Sequence, residues 1–335
     1  MIYDNYVGKH FARMKGLSTA SKKYVKATGK DRVKYFTLCA VEAIDVFMLE
    51  KDKVLKRDPD GKLTGVIVCE SKAEDADRIF RAIKPPLFES IIVGPLQDIV
   101  LFEDDEQTSK LKYDDDVADR IIRNKLRLKE QKRRLIREFP FDIINFDTYG
   151  NILGCEEDDL RLMNCFIKIL ELQKNADSFI LSITLPIDKI CDKYSDIFKK
   201  CINLNIKDHK EIKSVIEEKW KTLDYNKIDE NNKIALAFSK AILIKAANNL
   251  NWHSNHESLV VYESEAGTRM LASVVNLVRS ETPLLESYKQ DIVNIVRSMP
   301  QFISYQSSLR MKTVIDNLQK IIKYRDKIQK ELSER

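Results

Sequence analysis

Short runs of β-branched and aromatic residues alternate with stretches that carry apolar residues at helical spacing, and this alternation constrains the fold most. Turn residues bound each short run. Such alternation predicts an α/β domain in which right-handed helical crossovers join parallel strands. The runs that predict strands are 33–40, 65–70, 90–94, 139–146 and 178–185.

Two further β runs near the C-terminal third predict a hairpin. Residues 258–263 and 269–278 flank a short loop that contains Gly267. We therefore expect a doubly wound, mostly parallel sheet with a C-terminal antiparallel hairpin at its edge, helices on both faces and helical extensions.

The predicted elements divide the chain into three parts. Residues 1–30 form a basic N-terminal arm, residues 31–280 form the α/β domain, and residues 281–335 form C-terminal helices. Within the α/β domain we predict a charged helical insertion over 103–138 and a mostly helical segment over 187–250.

Composition limits the class of protein. The 335 residues are 44% hydrophobic, which suits a globular protein with a real core, and the formal net charge is only +5. No apolar run approaches the roughly 20 residues that cross a bilayer, and the first residues do not resemble a signal peptide. The six cysteines form no CxxC pair. We expect reduced, buried thiols in a cytoplasmic protein that does not enter a membrane.

The run 139–146 ends abruptly at a polar tip, Asp147–Asn151. Ligands of open α/β sheets bind outside the carboxyl ends of the strands. We therefore predict that Asp147 belongs to an active site. The alternative is an ordinary strand followed by an Asp-containing turn.

The predicted strands carry acids in a recurring position. Glu70 ends the second strand, Asp98 follows the third, and Asp147 follows the fourth. This order, with the terminal hairpin, resembles a class I S-adenosylmethionine-dependent methyltransferase over roughly residues 33–280. The tip Phe146–Gly150 is similar to the Asp-Pro-aromatic-Gly tip of the tRNA guanine dimethyltransferase branch, with Thr148 in place of the proline.

The resemblance implies a role for each acidic tip. Glu70 would accept hydrogen bonds from the ribose hydroxyls of the cofactor, and Asp98 would contact its adenine. Asp147 and Tyr149 would orient the acceptor beside the methyl donor. The alternative for Glu70 is a surface acid that caps the following helix.

The first loop departs from the family pattern. Relatives have glycines there, because the backbone passes close to the cofactor, whereas residues 39–45 contain none. Glu42 or Asp45 would then bind the amino group of the cofactor; alternatively, the pocket is closed or altered.

Basic residues cluster in two places. In the arm 1–30 they interleave with aromatic residues, as in surfaces that grip phosphates and stack bases. The second cluster lies on a predicted helix. Its basic residues are Arg120, Arg123, Lys125, Arg127, Lys129, Lys132, Arg133, Arg134 and Arg137. Both clusters are candidates for nucleic-acid contact, and both also fit the solvated face of a helix.

We expect methyl transfer from S-adenosylmethionine, with nucleic acid as the leading substrate class. One alternative is a catalytically silent binding or assembly subunit, with a protein partner or a second copy of the chain; another is a binder of a different nucleotide. An open pocket lined by Glu70 and Asp147 would favour the enzyme, and a pocket filled by Phe47 or Met48 the silent subunit. His253 and His256 lack a third ligand, so we predict a polar loop rather than a metal site.

Overall fold

The structure is a computed structural model, and it describes residues 7–87, 90–103, 115–148, 154, 156–186, 191, 252–264, 267–279, 303–304 and 308–334. Tyr149 and, apart from Cys191, the predicted helical segment 187–250 lie outside the described residues.

The described elements alternate between helix and strand, as the sequence predicts. In chain order they are α1 (Val7–Ala12), a π-helical turn (Arg13–Ser18), α2 (Thr19–Thr28), β1 (Tyr35–Thr37), α3 (Ile44–Lys51), β2 (Val66–Glu70), α4 (Ala73–Ile83), β3 (Ile91–Val93), α5 (Leu96–Val100), α6 (Asp115–Glu138), β4 (Ile143–Phe146), α7 (Glu157–Leu172), a 3-10 turn (Gln173–Asn175), β5 (Ser178–Pro186), β6 (Trp252–Glu263), β7 (Arg269–Arg279), β8 (Ile303–Ser304) and α8 (Ser308–Ser333).

The strands form one sheet in the order β3-β2-β1-β4-β5-β7-β6-β8. Strands β1 to β5 pair in parallel, and β7 runs antiparallel to both β5 and β6. A mixed α/β fold with a mostly parallel sheet is therefore confirmed. The chain reverses its direction of travel across the sheet between β1 and β4, and this switch point is where such sheets open a crevice.

The hairpin forms as predicted, but it is not the edge of the sheet, since β8 pairs with β6 on its outer side. Residues 303–304 were predicted to be helical and are part of this strand. The predicted polar loop around His253 and His256 is also wrong, because β6 begins at Trp252 and includes both positions. Alternation was too weak in 252–257 for the sequence to show the strand.

Hydrophobic layers cover both faces of the sheet, as expected of strands buried on two sides. Phe141, Phe146 and Phe166 pack into one layer. Phe47 and Met48 of α3 pack into the other.

The N-terminal helical run, which the sequence predicts as a basic arm, packs against the C-terminal half of the sheet. A Cβ atom at Gly8 would lie 2.8 Å from Cβ of Tyr262, and one at Gly16 would lie 2.6 Å from Oγ of Ser258. Both distances are below 3.0 Å, so even a methyl side chain at either position would force its neighbours to shift. His10 adds a 3.3 Å hydrogen-bonding contact between its Nε2 and Oδ1 of Asn317 in α8.

The cysteines correct part of the expectation from sequence. Cys39, Cys69 and Cys165 are free and buried, as predicted. Cys191 is disulfide-bonded, so the prediction of reduced thiols is wrong for that residue. Sequence spacing alone does not show which thiols a fold brings within bonding distance. None of the helices within the described ranges has the length and apolar character of a membrane-spanning segment.

Candidate functional site

A cavity of about 420 Å³ lies at the carboxyl ends of β1 to β4, at the switch point of the sheet. Its volume falls in the range of small-molecule sites, roughly 300–1,000 Å³. The residues that line it come from the strand tips, α1, the π-helical turn, α5 and α7. They are Lys9, Arg13, Leu38, Cys39, Ala40, Cys69, Glu70, Ser71, Gly94, Pro95, Leu96, Gln97, Asp147, Thr148, Asp158, Asp159 and Leu162.

Glu70 is the last residue of β2 and lines the cavity beside the tip of β3. Its Oε1 accepts hydrogen bonds from Oγ of Ser71 and from the backbone N–H of Lys72, each at 3.0 Å. Within the described part of the chain, Oε2 takes no hydrogen bond. One oxygen therefore holds the turn between β2 and α4, and Oε2 remains as an acceptor for a ligand.

Asp147 follows β4 directly and lines the same cavity. Its Oδ2 lies 2.9 Å from Nζ of Lys9 and 3.3 Å from Nη2 of Arg13. All three side chains are at least four-fifths buried. Charge-assisted contacts of this kind fix the carboxylate in place. The structure thus brings the predicted residues Glu70 and Asp147 into one site.

Sequence reasoning missed the role of Lys9 and Arg13, although it noted their basic segment. The two residues are four apart in one continuous helical run, so their side chains fall on the same side. Arg13 is the first residue of the π-helical turn. Single π turns inside α-helices occur often at functional sites. This turn, in an otherwise regular run, is a local signal that only the structure reveals.

Asp45, a predicted cofactor ligand, does not line the cavity. The carboxylate is fully buried, and Oδ2 accepts hydrogen bonds from the Tyr35 hydroxyl at 2.5 Å and the Thr37 hydroxyl at 2.7 Å. The side-chain amide of Asn145 donates a third hydrogen bond at 3.3 Å. Asp45 therefore joins α3 to β1 and β4. Glu42 stands half-buried in the β1–α3 loop and is also absent from the cavity lining.

Asp98 lies on α5 and pairs with Arg161 of α7, with Oδ1 and Nη2 2.5 Å apart. Its neighbour Gln97 lines the cavity, and Asp98 does not. The described contacts of Asp98 tie two helices together at the cavity rim. Of the other predicted residue, Tyr149, nothing is described.

The glycine-free loop after β1 still borders the cavity through Cys39 and Ala40. Ala43 adopts a left-handed conformation with φ of 47°, the kind of position that favours glycine. The loop therefore makes the turn with an alanine. Phe47 and Met48 pack into the core and do not fill the cavity.

The two thiols of the cavity wall are poor nucleophiles. Burial raises the pKa of Cys39 well above its ordinary value, and the nearby carboxylate of Asp45 raises it further. Burial likewise raises the pKa of Cys69. Both therefore stay protonated near neutral pH, and thiolate chemistry is disfavoured. The described ranges also contain no group of three or more metal-ligating side chains.

The sequence matches no protein-family model, and comparisons with curated proteins and with solved structures found no significant match.

Proposed function

We propose that this protein is an S-adenosylmethionine-dependent methyltransferase of class I fold that acts on nucleic acid. The observation that carries the proposal is one cavity at the switch point, lined by Glu70 at the end of β2 and by Asp147 after β4. A nucleoside binds such a crevice with its ribose at the acid of the second strand. The parallel strands and the following antiparallel hairpin fit the same fold.

The residues would divide the work by position. Glu70 would accept hydrogen bonds from the ribose, and Gln97 and Asp98 stand on the side of β3, where the adenine would lie. Asp147 would orient the acceptor, together with Tyr149. When bound, the cofactor supplies an electrophilic methyl group on a sulfonium. The protein has then mainly to align an acceptor lone pair with that methyl group and to exclude water.

Helix α6 supports nucleic acid as the acceptor. Oε1 of Gln131 accepts a 3.1 Å hydrogen bond from the backbone N–H of Val93, the last residue of β3. Gln131 therefore anchors α6 at the carboxyl end of β3, and the 16 residues before it form about 24 Å of helix, since a helix rises about 1.5 Å per residue. The basic helix is thus attached at the same edge of the sheet as the cavity. Its exposed basic residues in the described part are Arg123, Arg127, Lys129, Arg133 and Arg137.

A catalytically silent binding subunit is the second candidate. The glycine-free loop and the pairing of Asp147 with Lys9 and Arg13 favour it. Ile122 and Leu126 on α6 are 54% and 62% exposed, which suits a protein partner. A binder of another nucleotide would use the same crevice.

Calorimetric titration with S-adenosylmethionine tests the cofactor site. We expect wild-type protein to bind in the micromolar range and Glu70→Ala to weaken binding by at least about tenfold, since a hydrogen-bonded carboxylate is lost. Glu74→Ala is the matched control, because Glu74 is an exposed acid in the first turn of the following helix. Absence of heat at millimolar cofactor would contradict the enzyme and favour the silent subunit.

Fluorescence anisotropy with a labelled RNA oligonucleotide tests the acceptor class. We expect Arg123→Ser with Arg127→Ser to weaken binding and to reduce its salt dependence, because two phosphate contacts are lost. Arg78→Ser with Arg81→Ser on α4 is the control pair, since both residues are exposed and paired with acids of their own helix. If both double variants lose the same affinity for RNA, the basic helix attracts RNA only non-specifically.

A further inference from the structure

The N-terminal helical run contributes two cations to the cavity, and the mechanism above gives them no role. Nζ of Lys9 and Nη2 of Arg13 approach the same atom, Oδ2 of Asp147. The Arg13 side chain is 8% exposed and the Lys9 side chain is 19% exposed. Both groups have therefore been taken largely out of water, and they line a cavity that is open to a ligand.

We infer that Lys9 and Arg13 bind the carboxylate at the amino-acid end of the cofactor, an inference that rests on the proposed function. In a glycine-rich first loop, backbone amides come close to the cofactor. The loop after β1 contains no glycine, so side chains stand where those amides would approach. A guanidinium and an ammonium recognise a carboxylate through charge-assisted hydrogen bonds. The N-terminal run would thus replace the recognition that a glycine-rich loop gives.

The strand order gives the direction in which the ligand would lie. With the ribose at Glu70, the amino-acid end must extend either toward β3 or toward β1 and β4. On the β3 side, the strand end and α5 contribute Gly94, Pro95, Leu96 and Gln97, which carry no charge. The neighbouring helix α7 adds Asp158 and Asp159, whose carboxylates would repel the carboxylate of a ligand. On the β4 side are Lys9, Arg13 and Asp147, two strand spacings or about 10 Å from β2.

The charge balance on the β4 side leaves a place for an anion. Lys9 and Arg13 carry two positive charges and Asp147 carries one negative charge, so the three side chains have a net charge of +1. A carboxylate at the amino-acid end of the ligand would balance that charge. Asp45 does not enter this balance, because it is fully buried, accepts its hydrogen bonds from β1 and β4, and does not line the cavity.

Glycines hold the cations in position. Gly8 and Gly16 let the helical run pack directly on β6 and β7, and the π-helical turn between them begins at Arg13. A basic segment on a solvated surface would not need these approaches. The packing therefore holds the side chains of Lys9 and Arg13 at the cavity wall.

The test compares two ligands that differ only at the amino-acid end. S-adenosylhomocysteine carries the carboxylate, and 5′-methylthioadenosine lacks it while keeping the ribose and adenine. We expect Lys9→Gln and Arg13→Gln each to weaken S-adenosylhomocysteine binding about tenfold in calorimetry, since a charge-assisted contact is lost. Binding of 5′-methylthioadenosine to either variant should stay within about twofold of its binding to wild-type protein. Neither cation would contact the adenine, ribose or methylthio group of that ligand.

Three further measurements keep the result interpretable. Lys26→Gln is the control, because Lys26 is an exposed cation on the next helix of the same run. Arg13→Lys, which keeps the charge, should recover part of the lost affinity. Thermal unfolding of each variant shows whether the helical run is still packed.

Equal weakening of both ligands, or unchanged S-adenosylhomocysteine binding in both Gln variants, would overturn the inference while leaving the cofactor site in place. Failure of wild-type protein to bind either ligand would overturn the proposed function itself, and the carboxylate site with it. The two failures are therefore distinguishable.

Discussion

Two aspartates stand close to the tips of β1 and β4, and they are held in opposite ways. Asp45 lies in the interior, where neutral donors from Tyr35, Thr37 and Asn145 satisfy one of its oxygens. Asp147 lies at the cavity wall, where the cations of Lys9 and Arg13 hold it. The comparison separates a carboxylate that connects structural elements from one that faces a ligand.

The difference teaches that burial alone does not identify a functional acid. Asp45 is the more buried of the two, yet its partners lie on β1 and β4 and none of them lines the cavity. The partners of Asp147 come from the N-terminal helical run and line the cavity. Whether the partners line the cavity, rather than the degree of burial, distinguishes the two roles.

The largest effect is expected from Asp45→Ala. The substitution leaves the buried hydroxyls of Tyr35 and Thr37 without that acceptor, at a cost of about 1–3 kcal/mol of unfolding free energy each, while the Asn145 amide keeps its 3.3 Å hydrogen bond to Oγ1 of Thr37. Urea denaturation measures it. Asp45→Asn keeps an acceptor oxygen and should cost less. If Asp45→Ala is as stable as the wild-type protein, Asp45 does not connect the structural elements and the comparison fails.

A smaller loss is expected from Asp147→Ala, about 1–3 kcal/mol, because Lys9 and Arg13, although largely buried, still border the open cavity after their carboxylate partner is removed. Since buried pairs are screened less than exposed ones, 1 M salt should reduce this loss only in part. The loss in Asp45→Ala should not shrink, since its donors are neutral. The measurement is a urea denaturation series with and without salt. Equal salt dependence in the two variants would break the comparison.

The smallest effect concerns the thiol of Cys39, because its pKa depends on a residue of each region, Asp45 and Arg13. Burial and Asp45 raise its pKa well above 9.0, while Arg13 acts in the opposite direction. A pKa higher in the folded than in the unfolded state stabilises the fold below about pH 9, and that contribution is lost as the pH rises further. The thiol should therefore resist alkylation at pH 8.

Asp45→Asn removes one cause of the raised pKa, so Cys39 should react severalfold faster with iodoacetamide at pH 9, as read by mass spectrometry. Cys165 is the internal reference, because burial alone raises its pKa to about 12. Equal acceleration of both thiols would report general unfolding, and the coupling of Cys39 to Asp45 would then be contradicted.

Local patterns predicted much of the fold. The bounds of α4, Ala73–Ile83, follow from acids in its first turn, buried apolar residues on one side and the two prolines that come after it. Glu70 and Asp147 were placed at strand ends because an apolar run stops at each. Parallel pairing then brings strand ends together, and so the sequence predicted that these two acids share one edge of the sheet.

Contacts between residues far apart in the chain could not be predicted from the sequence. Nothing near Asp147 shows that Lys9 and Arg13 pair with it, since helical spacing gives a side of the helix and not its neighbour. Periodicity likewise did not show that Asp45 turns inward to β1. The ion pair of Asp98 could not be predicted for the same reason, because its partner Arg161 lies on a helix 63 residues later in the chain.

The packing of Gly8 against Tyr262 has a consequence for the order in which the protein becomes competent. Lys9 and Arg13 are synthesised before the strands, but β6, β7 and α8, on which their helical run rests, emerge after β1 to β5. Strands β1 to β4 can pair much earlier. The nascent chain would therefore hold Glu70 and Asp147 at their strand tips long before the two cations reach them. Recognition of the ligand's carboxylate would therefore form only after the tips of β2 and β4.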